Sequence, residues 1–170
     1  GTSVYKPSND ERAYNVKLAA QRLHGVVVPP GQVFSFNEAL GPVSAETGYR
    51  ESYSIIGDYT VRDAGGGVCQ VATTFFRAVF FGGYEIHDRS AHAYRIRRYE
   101  LEGMPLGMDA TVYDPSTDFK FKNDGPSYLL VQMAIDEDKG TLTFSFYGTK
   151  PDWTVTWSGP VLENVIPHGP

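Results

Sequence analysis

The chain of 170 residues is poor in cysteine, since it contains only Cys69. A single cysteine excludes an intrachain disulfide framework and, in an exported protein, leaves a free thiol that needs a reason. A chain of this length can still bury the core of one compact domain without disulfides or a structural metal.

The chain also lacks a long apolar run. Its most apolar stretch, "TTFFRAVFF", is interrupted by Arg77 and falls short of a membrane span. There is no signal peptide, and the sequence begins with Gly1 rather than Met. We therefore interpret the sequence as an excised domain whose targeting segment or membrane anchor lies elsewhere, and we expect it to be a monomer.

Positive charge is scarce as well. The formal net charge is −5 and the isoelectric point is near 5.3, so nucleic acid is not an expected partner. One cationic cluster, "RIRRY", covers residues 95–99. It is typical of a solvent-exposed strand face, and its alternative role is a clamp for an anionic substrate.

Two helices are predicted. The first lies within residues 8–25, where Ser8 and Glu11 have the spacing of a capping box and Gly25 stands at the end. The second covers residues 68–81, between three glycines and the pair Gly82-Gly83. The region between these helices reads as short strands, turns and loop.

Strand patterns dominate after the second helix. They occur in "YEIHDRSAHAYRIRRYEL", "MDATVYD", "FKFKN", "SYLLVQMAI", "GTLTFSFYG" and "DWTVTWSG". Together these patterns predict an α+β fold, with the N-terminal helix and the central Cys-bearing helix packed on a mainly antiparallel β-sheet. Residues 1–158 are predicted to form a single domain, and residues 159–170 a tail or linker.

The triple glycine before Cys69 permits a sharp turn that delivers the cysteine to the first turn of a helix. There, unpaired N–H groups and the helix dipole favour a thiolate and can also bind an oxyanion. The alternative is that Cys69 is buried filler behind a tight turn.

A cysteine nucleophile needs a base, and the chain has four histidines. His24 is explained by a helix C-terminus and His168 lies in the tail, which leaves His87 and His92 as open alternatives. Asp109 stands at the start of the next predicted strand and could orient the imidazole, or it could cap a turn. The spacing of His87, Asp88 and His92 matches no common zinc site, so we expect no metal and no organic cofactor.

The stretches "PGQVFSFN", "GGGVCQV", "RSAHAY" and "DATVY" occur in an order that resembles the VanW domain family, from about Arg12 to about Asn123. This resemblance implies a bacterial protein outside the cytoplasm, in the cell wall or anchored to the membrane. It also implies a role in glycopeptide resistance or in peptidoglycan metabolism. Some members are understood to be L,D-transpeptidases that use the motif cysteine.

On this chain, Cys69 matches the family cysteine, His92 the histidine after Arg89, and Asp109 the aspartate of "DATV". The glycines at 65–67 and Gln70 complete the motif. "ATT" replaces a common Ser-Ser-Thr run at residues 72–74, and the spacer between His92 and Asp109 is longer than usual. That spacer weakens the assignment of Asp109 more than that of Cys69.

The resemblance therefore predicts a cysteine-dependent peptidoglycan L,D-transpeptidase whose partners are peptide stems. Further expected site residues are Gly67, Val68 and Gln70 for the oxyanion or substrate, with a solvent-facing helix start as the alternative for Gln70. Arg89 is expected as an ion-pair partner or substrate clamp, and Glu46 and Tyr49 as residues of the cleft wall or as loop anchors. Two alternatives stay open. One is a cysteine peptidase or L,D-carboxypeptidase with the same residues, and the other is a non-catalytic wall-binding module.

Overall fold

The computed structural model describes residues 1–56 and 59–163. The helices are α1 (Asp10–Leu23), α2 (Phe36–Leu40) and α3 (Val68–Gly82), and a 3₁₀ helix covers Arg97–Gly103. The strands are β1 (Thr2–Val4), β2 (Val27–Val28), β3 (Val33–Ser35), β4 (Glu51–Ile56), β5 (Tyr59–Ala64), β6 (Glu85–Asp88), β7 (Lys120–Lys122), β8 (Leu129–Asp136) and β9 (Thr141–Tyr147).

These strands form three antiparallel sheets. The largest has the order β1-β9-β8-β2, the second has the order β3-β7-β6, and β4 pairs with β5 as a separate hairpin. The α+β class is confirmed, as is the central position predicted for "SYLLVQMAI", which forms β8. The strands are divided among three sheets, since β7 pairs with β3 on one side and with β6 on the other and not with β8.

Helix α1 begins later than the capping-box spacing predicts. The cap is Asn9, whose side-chain oxygen accepts a hydrogen bond from Arg12 N at 2.9 Å. Ser8 instead directs its hydroxyl back to Tyr5 O. An Asn side chain caps a helix as well as Ser does, so the first helical N–H groups are satisfied one residue further along the chain.

The core lies between α3 and the two larger sheets, and Phe75 is at its centre. This side chain is fully buried and stacks on Phe34, with a centroid distance of 5.0 Å. It also has edge or tilted contacts with the rings of Phe36, Phe119, Phe121, Phe144 and Phe146. Aromatic pairs of this kind add stabilisation beyond their buried area. These contacts hold α3 by its core-facing side, and Cys69 lies at its N-terminal end.

Several strand predictions are wrong. Within residues 89–101, which were predicted as strand, the structure has loop followed by the start of the 3₁₀ helix, so "RIRRY" is not a strand face. "MDATVYD" contributes only isolated bridges at Thr111 and Tyr113, and "DWTVTWSG" forms no strand. Trp153 instead packs edge-on against Tyr84, with its indole N–H donating to Gly82 O. Packing of side chains has overridden β-propensity at these places.

Two further features concern the chain ends. Strand β1 pairs with β9 and was not predicted. Among the described residues, no helix combines the length and apolarity that crossing a membrane requires. The division of the chain at residue 158 stays a prediction.

Candidate active site

Each of the three glycines before Cys69 meets a different constraint. Gly65 and Gly67 adopt positive φ angles of 89° and 114°, which L side chains rarely reach. A Cβ on Gly66 would lie 2.7 Å from the carbonyl oxygen of Tyr53, and one on Gly67 would lie 2.9 Å from Val16. The turn is therefore closely packed between β4 and α1, and this packing fixes where α3 begins.

Cys69 lies in the first turn of α3, one residue after Val68. Its sulfur is within hydrogen-bonding distance of Thr111 Oγ1 (3.4 Å) and of Val112 O (3.5 Å). One turn further along the helix, Thr73 exchanges two hydrogen bonds with the backbone of Ala110, both of 3.0 Å.

Arg77 continues the same helix face. Its side chain is almost fully buried and donates to Met108 O at 2.9 Å, to Thr2 O at 2.9 Å and to Tyr99 O. Positions spaced by four residues lie on one face of a helix, so this face holds residues 108–112 along its length. The chain segment that contains Asp109 is thereby fixed beside Cys69.

His92 and Asp109 form a buried pair. Asp109 Oδ2 accepts a hydrogen bond from His92 N at 2.9 Å and lies 2.7 Å from His92 Nδ1. Because the partner is a carboxylate, Nδ1 carries the proton and donates it, which leaves Nε2 as the free ring nitrogen. The exposed fraction of the His92 side chain is only 3%, and its ring packs on Tyr99 at 5.3 Å.

Arg89 acts on Asp109 and not on the cavities beside Cys69. Its guanidinium donates to Asp109 O at 2.8 Å, lies 3.5 Å from Asp109 Oδ1 and covers the ring of Phe76. These contacts agree with a structural ion pair. The alternative role as a substrate clamp has no support in this geometry.

The pKa values of Cys69 and His92 shift in opposite directions. Burial raises the pKa of the Cys69 thiol, but interaction with His92, together with the contacts to Thr111 and Val112, outweighs burial and lowers it below 9.0. Burial lowers the pKa of His92, yet Asp109 and Cys69 together raise it from 6.5 to about 9. The closest polar contacts of the sulfur are with Thr111 and Val112. The negative charge of a Cys69 thiolate interacts favourably with a protonated His92, and this interaction favours a thiolate–imidazolium pair.

The first turn of α3 offers one free backbone donor at the sulfur. Val68 N–H donates to Gly65 O at 3.0 Å, whereas the N–H of Cys69 has no acceptor among the residues that the structure describes. In the described part of the chain, the Cys69 amide is therefore the free donor of this turn. The N–H of Val68, which was expected at the oxyanion, is already hydrogen-bonded within the turn.

Gln70 belongs to the lining of the cavity that contains His92, but its side chain is not open to solvent. It is fully buried, and its side-chain amide donates to Ser3 Oγ at 3.0 Å and to Val4 O at 2.7 Å. Gln70 therefore ties β1 to α3. Hydrogen bonding to backbone across the fold explains this residue of the motif better than chemistry does.

Glu46 and Tyr49 do not reach the sulfur either. Glu46 is exposed on a loop, and Tyr49 is buried under the guanidinium of Arg22, 4.9 Å from the ring centroid. The packing of Tyr49 agrees with its alternative role as a loop anchor, and neither residue is in the lining of the two cavities that contain Cys69.

His87 and His92 differ in their position relative to the two cavities at Cys69. His87 lies on β6, where Nε2 is 3.3 Å from Glu85 Oε1 and the side chain is 36% exposed. It lines neither cavity at Cys69, whereas His92 does. Of the two, only His92 is brought to the sulfur.

Cys69 lies where two cavities meet. One, of about 350 Å³, is lined on one side by α2 and the loop after it and on the other by residues 112–114. The other, of about 240 Å³, contains His92, Tyr99, Arg12 and Arg98. In residues 1–56 and 59–163, no group of three or more His, Cys, Asp or Glu side chains could hold a metal ion.

Sequence reasoning missed Thr73, Thr111 and Arg12, and it singled out Arg98 and Tyr99 only as members of the cationic cluster 95–99, with a clamp for an anionic substrate as the alternative role. The spacing of Cys69, Thr73 and Arg77 by four residues was a signal that could have found Thr73 and the structural role of Arg77. Arg12, Thr111 and the adjacent pair Arg98-Tyr99 come from three separate parts of the chain, and no local pattern connects these three parts.

The fold and the site together define an α+β domain with a Cys–His–Asp arrangement at the start of a central helix. Comparison with known proteins gives the family: the model described as "VanW like protein" matches residues 11–147, and the chain belongs to this family. No solved structure matches it significantly.

Two curated relatives are similar to this chain over 130 residues, or 76% of its length. "Uncharacterized protein YoaR" of Bacillus subtilis (strain 168) is 33% identical, and 41% of its length is covered. "Vancomycin B-type resistance protein VanW" of Enterococcus faecalis (strain ATCC 700802 / V583) is 26% identical, and 47% of its length is covered. The chain thus spans less than half of either relative.

Proposed function

We propose that this chain is the acyl-transfer domain of a peptidoglycan L,D-transpeptidase, acting outside the cytoplasmic membrane on the peptide stems of the cell wall. The observation that carries the proposal is the position of Cys69 beside the buried His92–Asp109 pair, with a free N–H in the first helical turn. The resistance-protein name of the E. faecalis relative supports a substrate in the cell wall.

In the first half-reaction, the Cys69 thiolate attacks the carbonyl carbon of the third stem residue, a diamino acid. The Cys69 N–H stabilises the oxyanion of the tetrahedral intermediate. The bond to the fourth residue, D-alanine, then breaks, and its amine takes a proton from Nε2 of the His92 imidazolium. A thioester and a neutral imidazole remain.

In the second half-reaction, the side-chain amine of another stem attacks the thioester. Neutral His92 accepts the proton that this amine loses, the C–S bond breaks, and the thiolate–imidazolium pair is restored. The product is a 3–3 cross-link. If water replaced the amine, the same residues would act as an L,D-carboxypeptidase.

Asp109 contributes by holding His92 in one tautomer and by stabilising its charge. Its pKa is lowered because hydrogen bonds and charge from His92 outweigh the effect of burial, so it is ionised at neutral pH. Arg89 supports the same carboxylate. Both act through His92 and do not contact the reacting carbonyl.

The test is incubation of the chain with purified disaccharide-tetrapeptide and analysis of products by mass spectrometry. We expect a dimer that lacks one D-alanine, and its absence in Cys69→Ala. A stable covalent adduct of the tripeptide on wild-type Cys69 would be additional support.

The other outcomes separate the alternatives. Tripeptide without dimer would indicate a carboxypeptidase, and an internally cut stem an endopeptidase. If folded wild-type protein binds stems but forms neither adduct nor product, the proposal fails in favour of a wall-binding module. Cys69→Ser is the matched variant, since it keeps the size of the side chain and loses the thiolate.

A further inference from the structure

Two arginines lie side by side in the cavity of about 240 Å³ that contains His92. Arg12 comes from α1 and Arg98 from the 3₁₀ helix. Ser8 Oγ lies 3.1 Å from Nη1 of Arg12 and 3.3 Å from Nη1 of Arg98, and it accepts from both. This shared acceptor brings two like charges together, which is unfavourable unless an anion joins them.

The structure describes no carboxylate that pairs with either arginine. The remaining hydrogen bond is from Arg98 Nη1 to Tyr5 O, so Nε and Nη2 of both side chains have no acceptor among the described residues. The pKa of Arg12 is lowered, because burial and the charge of Arg98 outweigh the opposite effects of Tyr99 and Cys69. Both side chains are partly buried, and charges withdrawn from water are normally paired, so these free donors favour an anion that comes from a ligand.

The Cys69 thiolate does not remove the need for this anion. It already interacts with the protonated His92 in the same cavity. With both of these groups charged, the two guanidiniums still give the cavity an excess of positive charge.

The larger cavity has the opposite character. Its lining includes Asp63 and Asp114, and among the described residues it contains no Lys, Arg or His. The sulfur of Cys69 therefore separates an acidic cavity from a basic one. Since His92 lies in the basic cavity and is the group placed to protonate the departing amine, the amine side of the cleaved bond belongs there.

We propose that Arg12 and Arg98 bind the free carboxylate of the amino acid on the amine side of the cleaved bond. This inference rests on the proposed function and specifies which peptide bond and which acceptor amine the site selects. The departing residue must be the last of its peptide, so a terminal bond is selected over an internal one. The acceptor amine approaches the thioester from the same side, so it too must carry a carboxylate on the adjacent carbon.

The experiment compares a stem tetrapeptide with its C-terminal carboxamide. Binding of each to the Cys69→Ala chain is measured by isothermal titration calorimetry, so that turnover does not enter. We expect the carboxylate form to bind about 10- to 100-fold more tightly, because charged hydrogen bonds to two guanidiniums are lost in the amide. In Cys69→Ala/Arg98→Ala this preference should fall to nearly one.

Arg95→Ala is the matched control. Arg95 belongs to the same cationic stretch, but it is exposed and both of its contacts, of 2.6 Å, go to Glu100. It should leave the preference unchanged. Arg98→Lys should retain part of it, and thermal unfolding checks that loss of the contact to Tyr5 O has not unfolded the N-terminal region.

Equal binding of the two peptides, binding of neither, or an equal loss for both in the Arg98→Ala background would overturn the inference. The proposed function is judged separately from the products of the wild-type chain. Cross-linking without a carboxylate preference would therefore remove the role of the arginines and leave the function standing.

Discussion

The aromatic core around Phe75 and the site segment, residues 89–117, are held in place by different forces. In the core, buried rings from α3 and from strands of two sheets pack against one another. The site segment has no strand and only one 3₁₀ helix, and hydrogen bonds from Thr73, Arg77 and Arg89 fix its backbone. Apolar packing tolerates variation in shape, whereas these polar contacts specify individual atoms.

This difference has a functional consequence. α3 carries Cys69 on the rigid side, and the site segment carries His92 and Asp109 on the other. The geometry of the sulfur and the imidazole is therefore set by how the polar face of α3 holds residues 108–112. A substitution can therefore change the geometry of the sulfur and the imidazole without destabilising the core. A substitution in the core can likewise lower stability without changing that geometry.

The largest effect is expected at His92. His92→Ala should lower the rate of thioester formation by about 10⁴-fold, because the thiolate loses its cationic partner and the leaving amine its proton donor. His87→Ala is the control, since His87 is partly exposed and paired with Glu85, and its rate should stay within about two-fold of wild type. Single-turnover mass spectrometry measures both, and a similar loss in the two variants would contradict the assignment.

Breaking the core comes next. Phe75→Ala should lower the free energy of unfolding by about 3–5 kcal/mol, since it leaves a cavity among six other aromatic rings. Denaturant titration followed by circular dichroism checks this value. The residual folded protein should keep its reactivity toward a thiol reagent, and selective loss of Cys69 reactivity at full stability would contradict the division between core and site.

Arg77→Met tests the polar contacts that hold the site segment, and not the core. It keeps the length of the side chain but leaves the carbonyls of Met108, Tyr99 and Thr2 without their donor, at a cost of about 2–3 kcal/mol. Because the segment around Asp109 is then loosened, amide hydrogen exchange should rise most in residues 108–112. Arg62→Met, on the exposed surface of β5, is the control and should change neither quantity.

The smallest effect is a dependence on pH. The pKa of His92 is raised from 6.5 to about 9, so its stabilising contribution is fully present below pH 6.5 and is lost as the pH rises through about 9. Activity should fall about tenfold per pH unit above that value as the proton donor is lost. In Asp109→Asn the alkaline limb of the rate profile should move to lower pH, because the carboxylate that raises the pKa of His92 is gone.

The sign for Asp109 is the reverse. Its pKa is lowered from 3.8, so its contribution is present above that pH and disappears as the pH falls through the lowered value.

The contribution of His92 to stability is measured by urea titrations of wild type at pH 6 and pH 10, which should show the lower stability at pH 10. His92→Gln should remove most of this difference, and an unchanged difference would assign it to another group.

Local patterns predicted the elements that are regular over many residues. The α3 boundaries follow from an apolar run between glycines, and β8 and β9 from long strand patterns around a short turn. The site segment was predicted as strand because its composition favours strands. The hydrogen bonds that hold it come from Thr73 and Arg77 on α3 and from Arg89, and only the spacing of the first two along the helix is a local pattern. The contact of Gln70 with β1 was missed because it joins residues far apart in the chain.

The sequence by itself determined that a helix begins at a glycine turn carrying Cys69, because backbone freedom and helix termination are local properties. Its motif order also determined the family. Only the tertiary structure decided that His92, and not His87, faces the sulfur, and that Arg12 and Arg98 meet beside it. Those relations depend on contacts between residues far apart in the chain, and such contacts exist only once α1, α3 and the site segment have packed together.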